Sequence, residues 1–197
     1  MNNFLRLTLL AFAFSTASCV QISPLILLGV FPVDPVTPPA LPVCKVGDLL
    51  QGESAVTFGA LPILDNYLCM GLQNTMDNVV KTEVNGATLD DPLNHNKVFV
   101  EEVLHTYSAQ LISNGKTTSL TLPAETLRVG IPVDSGGGKV GAFVQILGDT
   151  AAQAMFDATQ PGDTVQLLIT LRMRGRINSG GSITTQPFTY PIRYTRQ

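Results

Sequence analysis

The sequence predicts a mainly β fold: an antiparallel β-sandwich of about seven strands with one short helix. Three observations support this. Apolar residues occupy every second position from Val165 to Met173, and the positions between them are polar except Leu168, as in a strand with one buried face. Glycine, asparagine and proline clusters separate the apolar segments at short intervals, as turns do. The chain has no alternating series of strands and helices, which a parallel sheet would require.

The other strands follow the same logic along the chain. Each is a run rich in β-branched and aromatic residues, bounded by turn residues. Ser135 to Gly138 are predicted to form a hairpin loop between the strands on either side. Pro187 and Pro191 cannot donate to a ladder, so the final strand is predicted to be an edge strand or only partly paired. These further strands are expected within residues 61–76, 97–112, 120–133, 139–147 and 188–194.

One short helix is predicted near residues 150–159. Asp149 is a suitable N-cap, and Thr150 with Gln153 fits the capping-box pattern. The alanines in between are good helix formers, and Pro161 ends the segment. Since strands lie on both sides of it, we expect this helix to cross between the two sheets. The whole pattern is similar to immunoglobulin-like envelope domains, which implies a sandwich domain, here expected over residues 43–197.

The beginning of the chain carries an export signal. Arg6 lies in a short N-terminal segment, an apolar run from Leu7 to Phe14 follows, and small residues continue to Ser18. This is the three-part pattern of a secretory signal peptide, here residues 1–18. The apolar run is too short for a hydrocarbon core about 30 Å thick, which takes about 20 residues to cross.

A cysteine follows the small residues directly. Thr16, Ala17, Ser18 and Cys19 resemble the lipobox of bacterial envelope lipoproteins, with Thr16 in the place usually held by leucine. The resemblance implies that Cys19 becomes the lipid-modified first residue of a protein anchored at the outer membrane or cell surface. Ordinary cleavage after Ala17 is the alternative, and it would give a secreted or periplasmic protein.

Prolines dominate the segment that comes next. Six of them lie between residues 24 and 42, where they favour an extended backbone. Residues 19–42 are therefore predicted to be a tether between anchor and domain. The apolar residues between Ile26 and Phe31 are unusual for a free linker, so part of the tether is expected to pack onto the domain or the membrane surface.

The chain has three cysteines, an odd number for an oxidising compartment. If Cys19 carries lipid, Cys44 and Cys69 remain as a natural disulfide pair. That bond would stabilise the fold by about 3 kcal/mol. Two unpaired, buried cysteines are the other interpretation.

Composition and charge exclude some functions. Only 14% of residues are charged, the formal net charge is −3 and the pI is about 5.2, so no nucleic acid partner is expected. The chain has no tryptophan, which weakens the hypothesis of a stacking platform for carbohydrate. No catalytic or metal-binding motif stands out, so no cofactor and no metal are predicted.

Three polar groups are candidate sites. The loop from Asp90 to His95 is rich in oxygen ligands of the kind that bind Ca²⁺, although turns use the same residues. Glu101, Glu102 and His105 are expected on one strand, and Glu101 and His105 on one face of it, where a carboxylate and an imidazole could do acid–base work. The other face of that strand is the expected core face; it carries Val98, Val100, Leu104 and Ile112.

Arg172, Arg174 and Arg176 form the third group, a row on one face of a strand. Such a row could bind lipid phosphates, lipopolysaccharide or an acidic protein of the envelope. It could equally be a solvated face that discourages edge aggregation.

The sequence therefore predicts an exported, non-enzymatic protein with a binding or structural role. A glycan-binding module and an envelope hydrolase with an unrecognised site are the alternatives.

Overall fold

A computed structural model describes residues 23–34, 43–47, 49, 54–58, 67–77, 81–84, 87–90 and 96–197. Within these residues the chain is mostly β-strand, with one helix. The predicted signal peptide and Cys19 lie outside them. In chain order the elements are β1 (Leu25–Phe31), β2 (Val33–Asp34), β3 (Val43–Cys44), β4 (Ser54–Phe58), β5 (Tyr67–Asn74), β6 (Lys81–Val84), β7 (Ala87–Asp90), β8 (Val98–Ser113), β9 (Lys116–Leu120), β10 (Glu125–Val133), β11 (Lys139–Gln145), α1 (Asp149–Ala158), β12 (Thr164–Ile177), β13 (Ser182–Thr184) and β14 (Phe188–Arg196).

Two sheets enclose one core. The larger has seven strands in the order β10-β8-β12-β14-β4, with β9 also beside β8 and β13 beside β12, and the smaller has the order β1-β5-β11. Every described pairing is antiparallel except that of β14 with β4. The core takes side chains from both sheets and from α1. The predicted antiparallel β-sandwich with one helix is confirmed, whereas this strand order does not establish an immunoglobulin-like connectivity.

The longest strand pair is β8 with β12. Its register runs from Val98 opposite Ile177 to Ile112 opposite Thr164. The alternation predicted for β12 is confirmed, because every second side chain enters the core. The buried ones are Val165, Leu167, Ile169, Leu171 and Met173.

A β-bulge interrupts this ladder. Arg174 pairs with Glu102 and Gly175 pairs with Val100, so Glu101 is an extra residue in β8. Beyond the bulge, Val103 and His105 are buried and Leu104 is not. The expected core face was therefore wrong from Leu104 onward. For the same reason Glu101 and His105 do not share a face.

The loop over residues 135–138 does not close a hairpin. β10 pairs with β8 in the larger sheet, while β11 pairs with β5 in the smaller one. The amide of Gly137 donates to the Asn74 carbonyl at 2.9 Å, and the amide of Asn74 donates to the Gly138 carbonyl at 3.0 Å. The loop is thus bound to the end of β5 and moves the chain between sheets. Helix α1 returns the chain to the larger sheet, as expected of a crossover.

Part of the predicted tether belongs to the sandwich. Residues 25–31 form β1, which pairs with β5, and its side chains Leu25, Val30 and Phe31 are buried. Burial of each such side chain contributes about 1.5–3 kcal/mol, which favours packing over an extended, solvated segment. The sandwich therefore includes residues that precede the expected boundary at residue 43.

A carboxylate from the larger sheet caps the N-terminus of α1. The N-cap residue is Gly148, not the predicted Asp149, and it makes no side-chain cap. Instead, the Glu125 carboxylate accepts hydrogen bonds from the amides of Thr150 at 3.0 Å and Ala151 at 3.3 Å. A Cβ at residue 148 would collide with this carboxylate, so glycine there leaves room for it.

A guanidinium from the same sheet caps the other end of α1. Arg196 Nη1 donates to the Phe156 carbonyl at 2.7 Å and also to the Thr159 carbonyl. The guanidinium lies 4.0 Å from the centroid of the Phe156 ring. Negative charge at the N-terminus and positive charge at the C-terminus both interact favourably with the helix dipole, and each stabilises the helix by about 0.3–1 kcal/mol. Strands β10 and β14 thus hold the helix from both ends.

Three glycines lie side by side across the smaller sheet. Gly71 of β5 pairs with Gly29 of β1 and with Gly141 of β11. A Cβ at residue 141 would collide with the Cys44 carbonyl, and one at residue 29 with the Leu49 side chain. The segment that contains Cys44 and Leu49 therefore crosses directly over this row, on the face of the sheet turned away from the core. We call residues 43–47 and 49 the strap.

We expect Gly141→Ala to lower the free energy of unfolding by about 1–3 kcal/mol, because its methyl group would displace the strap backbone. Gly130→Ala is the matched control, since no atom lies within 4 Å of a Cβ built there. Urea denaturation measures both. Equal stability of the two variants would contradict the close approach of the strap to β11.

Candidate functional site

Two of the three cysteines form a disulfide. Cys44 and Cys69 are bonded, with 5.2 Å between their Cα atoms and a sequence separation of 25 residues. The bond attaches the strap to β5. The predicted pairing is confirmed, and it is compatible with an exported protein.

The arginine row lies on the outer face of the larger sheet. Arg172, Arg174 and Arg176 are all exposed and alternate with buried residues of β12. The bulge in β8 brings two consecutive carboxylates to the same face. Glu102 pairs with Arg174, and Glu101 pairs with Arg176 at 2.7 Å.

A fourth guanidinium joins this group from a neighbouring strand. Arg128 of β10 lies 3.7 Å from the Glu102 carboxylate, and its side chain is 86% exposed. Arg172 has no ion-pair partner among the residues that the structure describes. We call the six residues the arginine patch: Glu101, Glu102, Arg128, Arg172, Arg174 and Arg176.

The arginine patch is positive on a negative protein. Four guanidinium groups meet two carboxylates, which leaves a charge of +2, whereas the whole chain carries −3. Ion pairs at this exposure each stabilise the fold by about 1 kcal/mol or less. The sequence predicts the row of three arginines in β12 but does not place Glu101, Glu102 or Arg128 beside it, because their positions depend on the bulge and on the strand order.

The same outer face has a shallow depression of about 390 Å³ at its other end. Hydroxyl, amide and guanidinium groups line it, with Leu168 and Pro191 between them, and none of its lining residues is aromatic. It can donate and accept hydrogen bonds but holds no acid–base pair. The polar lining consists of Ser108, Gln110, Gln166 and Arg193.

A buried polar cluster lies on the opposite, inner face. The Nε2 atom of His105 is 2.8 Å from the Gln145 carbonyl oxygen, and Nδ1 is 3.2 Å from that of Val103. The Tyr107 hydroxyl lies 3.4 Å both from the Glu125 carboxylate and from the Ile146 carbonyl. These contacts join β8 and β10 to the end of β11, so the cluster connects the two sheets.

Burial governs the protonation of this cluster. It lowers the pKa of His105, although the Gln145 and Val103 carbonyls and the Glu125 charge act in the other direction. It also raises the pKa of Tyr107, which keeps the hydroxyl protonated as a donor. The His105 side chain is buried, so the imidazole is not available to a substrate in solution.

The acid–base pair considered from the sequence does not form. Glu101 lies on the outer face with the arginine patch, and His105 faces the core. Of the loop from Asp90 to His95, residues 91–95 lie outside the described part of the chain. Among the described residues, no three histidine, cysteine, aspartate or glutamate side chains are grouped as a metal site would need.

Helix α1 has ten residues, and no helix in the described ranges is long and apolar enough to cross a membrane. No known protein family, no characterised protein and no solved structure matches the chain.

Replacing both bonded cysteines, Cys44→Ser with Cys69→Ser, should lower the free energy of unfolding by about 3 kcal/mol through loss of the loop constraint. A reducing agent should destabilise the wild-type protein to a similar extent and leave this double variant unchanged. Cys19→Ser is the control and should unfold as the wild type does. A loss with Cys19→Ser as large as that with the double variant would mean that the pairing is different.

The lowered pKa of His105 makes the fold sensitive to acid. The folded state binds the proton less readily than the unfolded state, whose histidine has a pKa of about 6.5. The contribution of neutral His105 to the free energy of unfolding is therefore fully present well above that pH and is lost as the pH falls. The loss between about pH 7.5 and about pH 5.5 is at most about 1.4 kcal/mol. Urea denaturation at both pH values should show this loss in the wild type and less of it in His105→Gln.

The chain's other histidine provides the control. His95→Gln should retain the wild-type loss between the two pH values. If His95→Gln removes the pH dependence and His105→Gln retains it, the assignment to His105 is wrong.

Proposed function

We propose that the protein is an exported envelope lipoprotein, anchored through Cys19 at the outer membrane or cell surface, with a binding or structural role. The observation that carries the proposal is the Cys44–Cys69 disulfide, because it leaves Cys19 as the one remaining cysteine, directly after the signal-peptide pattern. A lipid on Cys19 would account for all three cysteines in an oxidising compartment.

The position of the sandwich along the chain supports this organisation. Strand β1 begins at Leu25, only six residues after Cys19. The cysteine is therefore joined to the domain by a short connection, and a lipid on it would hold the sandwich at the membrane. Most prolines of the predicted tether lie after β1 and are not part of this connection.

The described side chains favour binding over catalysis. Glu101 and His105 are separated by the sheet, and the contacts of His105 and Glu125 serve to join the sheets and cap α1. The arginine patch, by contrast, is exposed to solvent and carries excess positive charge. It is the strongest candidate for contact with a partner.

Detergent phase partition with fatty-acid labelling in a bacterial host tests the anchor. The wild-type protein should take up the label and enter the detergent phase, because acylation adds apolar area that detergent covers. Cys19→Ser should stay unlabelled and aqueous.

Cys44→Ser with Cys69→Ser is the control, since it also removes cysteines but leaves Cys19 in place. It should still take up the label. If the wild-type protein stays aqueous and unlabelled, the lipoprotein assignment fails, and the protein is secreted or periplasmic.

A further inference from the structure

The chain enters the sandwich beside the end of β5. The Pro24 carbonyl accepts hydrogen bonds from the amide and the hydroxyl of Thr75, each at 2.9 Å. Ser23 is held as well, because its hydroxyl accepts from the Leu25 amide at 3.3 Å. The connection to Cys19 therefore starts from a fixed point on the sandwich.

The arginine patch extends towards the same end of the sandwich. The Asn74 side chain, next to Thr75, donates to the Asn96 carbonyl at 2.7 Å. The carbonyl of the following residue, Lys97, accepts from the Asn178 amide at 2.9 Å. The patch ends at Arg176, two residues before this asparagine in the chain. Two hydrogen bonds thus connect the end of β5 to the end of the patch.

The connection to the anchor is short compared with the arginine patch. Four residues lead from Cys19 to Ser23, and at about 3.6 Å per residue they span at most about 14 Å in any conformation. Arg172 and Arg176 are four residues apart in a strand, which is about 13 Å. A lipid on Cys19 would therefore keep the end of the sandwich that carries Arg176 close to the headgroups.

The chemistry of the arginine patch fits an anionic lipid surface. Arg176 is 70% exposed although it pairs with Glu101, and Arg172 adds a guanidinium without an ion-pair partner in the described part of the chain. Phe99, which pairs with Arg176 across the two strands, is 41% exposed and provides an apolar side chain there. Guanidinium groups bind phosphate oxygens, and attraction to an anionic leaflet grows with each basic residue near it.

We propose that the arginine patch docks on the lipid phosphates of the leaflet that holds the Cys19 anchor, so that the end of the larger sheet's outer face that carries Arg176 lies against the membrane. The inference rests on the proposed lipoprotein anchor for its geometry. A lipid chain and a basic surface reinforce each other in membrane attachment. An acidic protein is the competing occupant, and the test separates the two.

The test uses the full chain with Cys19→Ser, exported and purified, so that the lipid makes no contribution. It is sedimented with vesicles of phosphatidylglycerol and phosphatidylcholine, and with vesicles of phosphatidylcholine alone. Binding is expected to the anionic vesicles only and should weaken as salt rises. Adding Arg172→Gln and Arg176→Gln should weaken it about five-fold for each charge removed, or about 25-fold in total.

Two further variants sharpen the result. Arg193→Gln removes a guanidinium from the far end of the same face and should leave binding within about two-fold of the parent. The replacements Arg172→Lys and Arg176→Lys keep the charge but lose the planar fork, and they should retain binding because a lipid surface responds to charge. Thermal unfolding of each variant checks that the fold is intact.

Equal binding to both kinds of vesicle, or no weakening in the glutamine variant, overturns the proposal. The proposal is also overturned if the lysine variant loses as much vesicle binding as the glutamine variant. That result would indicate that the planar guanidinium itself is recognised, as a protein partner would recognise it. Vesicle binding by the Cys19→Ser chain does not depend on acylation. The proposal for the arginine patch and the proposal for the lipid anchor are therefore tested by separate experiments, and either can fail without the other.

Discussion

The pairing of β8 with β12 is the constraint on which the rest of the structure depends. These two strands run beside each other within the larger sheet, and their alternation decides which side chains enter the core. The bulge at Glu101 modifies that alternation at one place. It directs Glu101 and Glu102 to the outer face, where they partly neutralise the arginines of β12. The core and the arginine patch are thus the two faces of one ladder.

The smaller sheet and α1 are attached to this ladder by polar contacts as well as by the core. His105 and Tyr107 of β8 reach the carbonyls of Gln145 and Ile146 at the end of β11. The same cluster contains Glu125, which caps the first turn of α1. A buried polar group without a partner costs about 1–3 kcal/mol, so these contacts also favour one arrangement of the two sheets over others. On the other face of the smaller sheet, the strap and its disulfide add a further covering.

The sequence predicts most of what depends on local pattern. The alternation in β12, the short helix near residues 150–159 and the disulfide pairing are all confirmed. It does not predict contacts that distant strands create. Glycines at 136–138 are compatible with a hairpin and with a passage between sheets alike, and the sequence does not distinguish them. The cap of α1 comes from Glu125, far from the helix in the chain, so the local capping pattern at Asp149 was misleading. Of the arginine patch, only the row in β12 has a periodic signal.

The bulge has a consequence for changes in chain length. If Glu101 were absent, Val100 would directly precede Glu102, and the inward positions of β8 on either side would follow in unbroken alternation. Loss of any one residue within the regular part of the strand would instead turn the side chains on one side of it to the wrong face. Residue 101 is therefore the position in this strand where a deletion would be tolerated best. A homologous chain that is one residue shorter here would keep the same core and lose one carboxylate from its outer face.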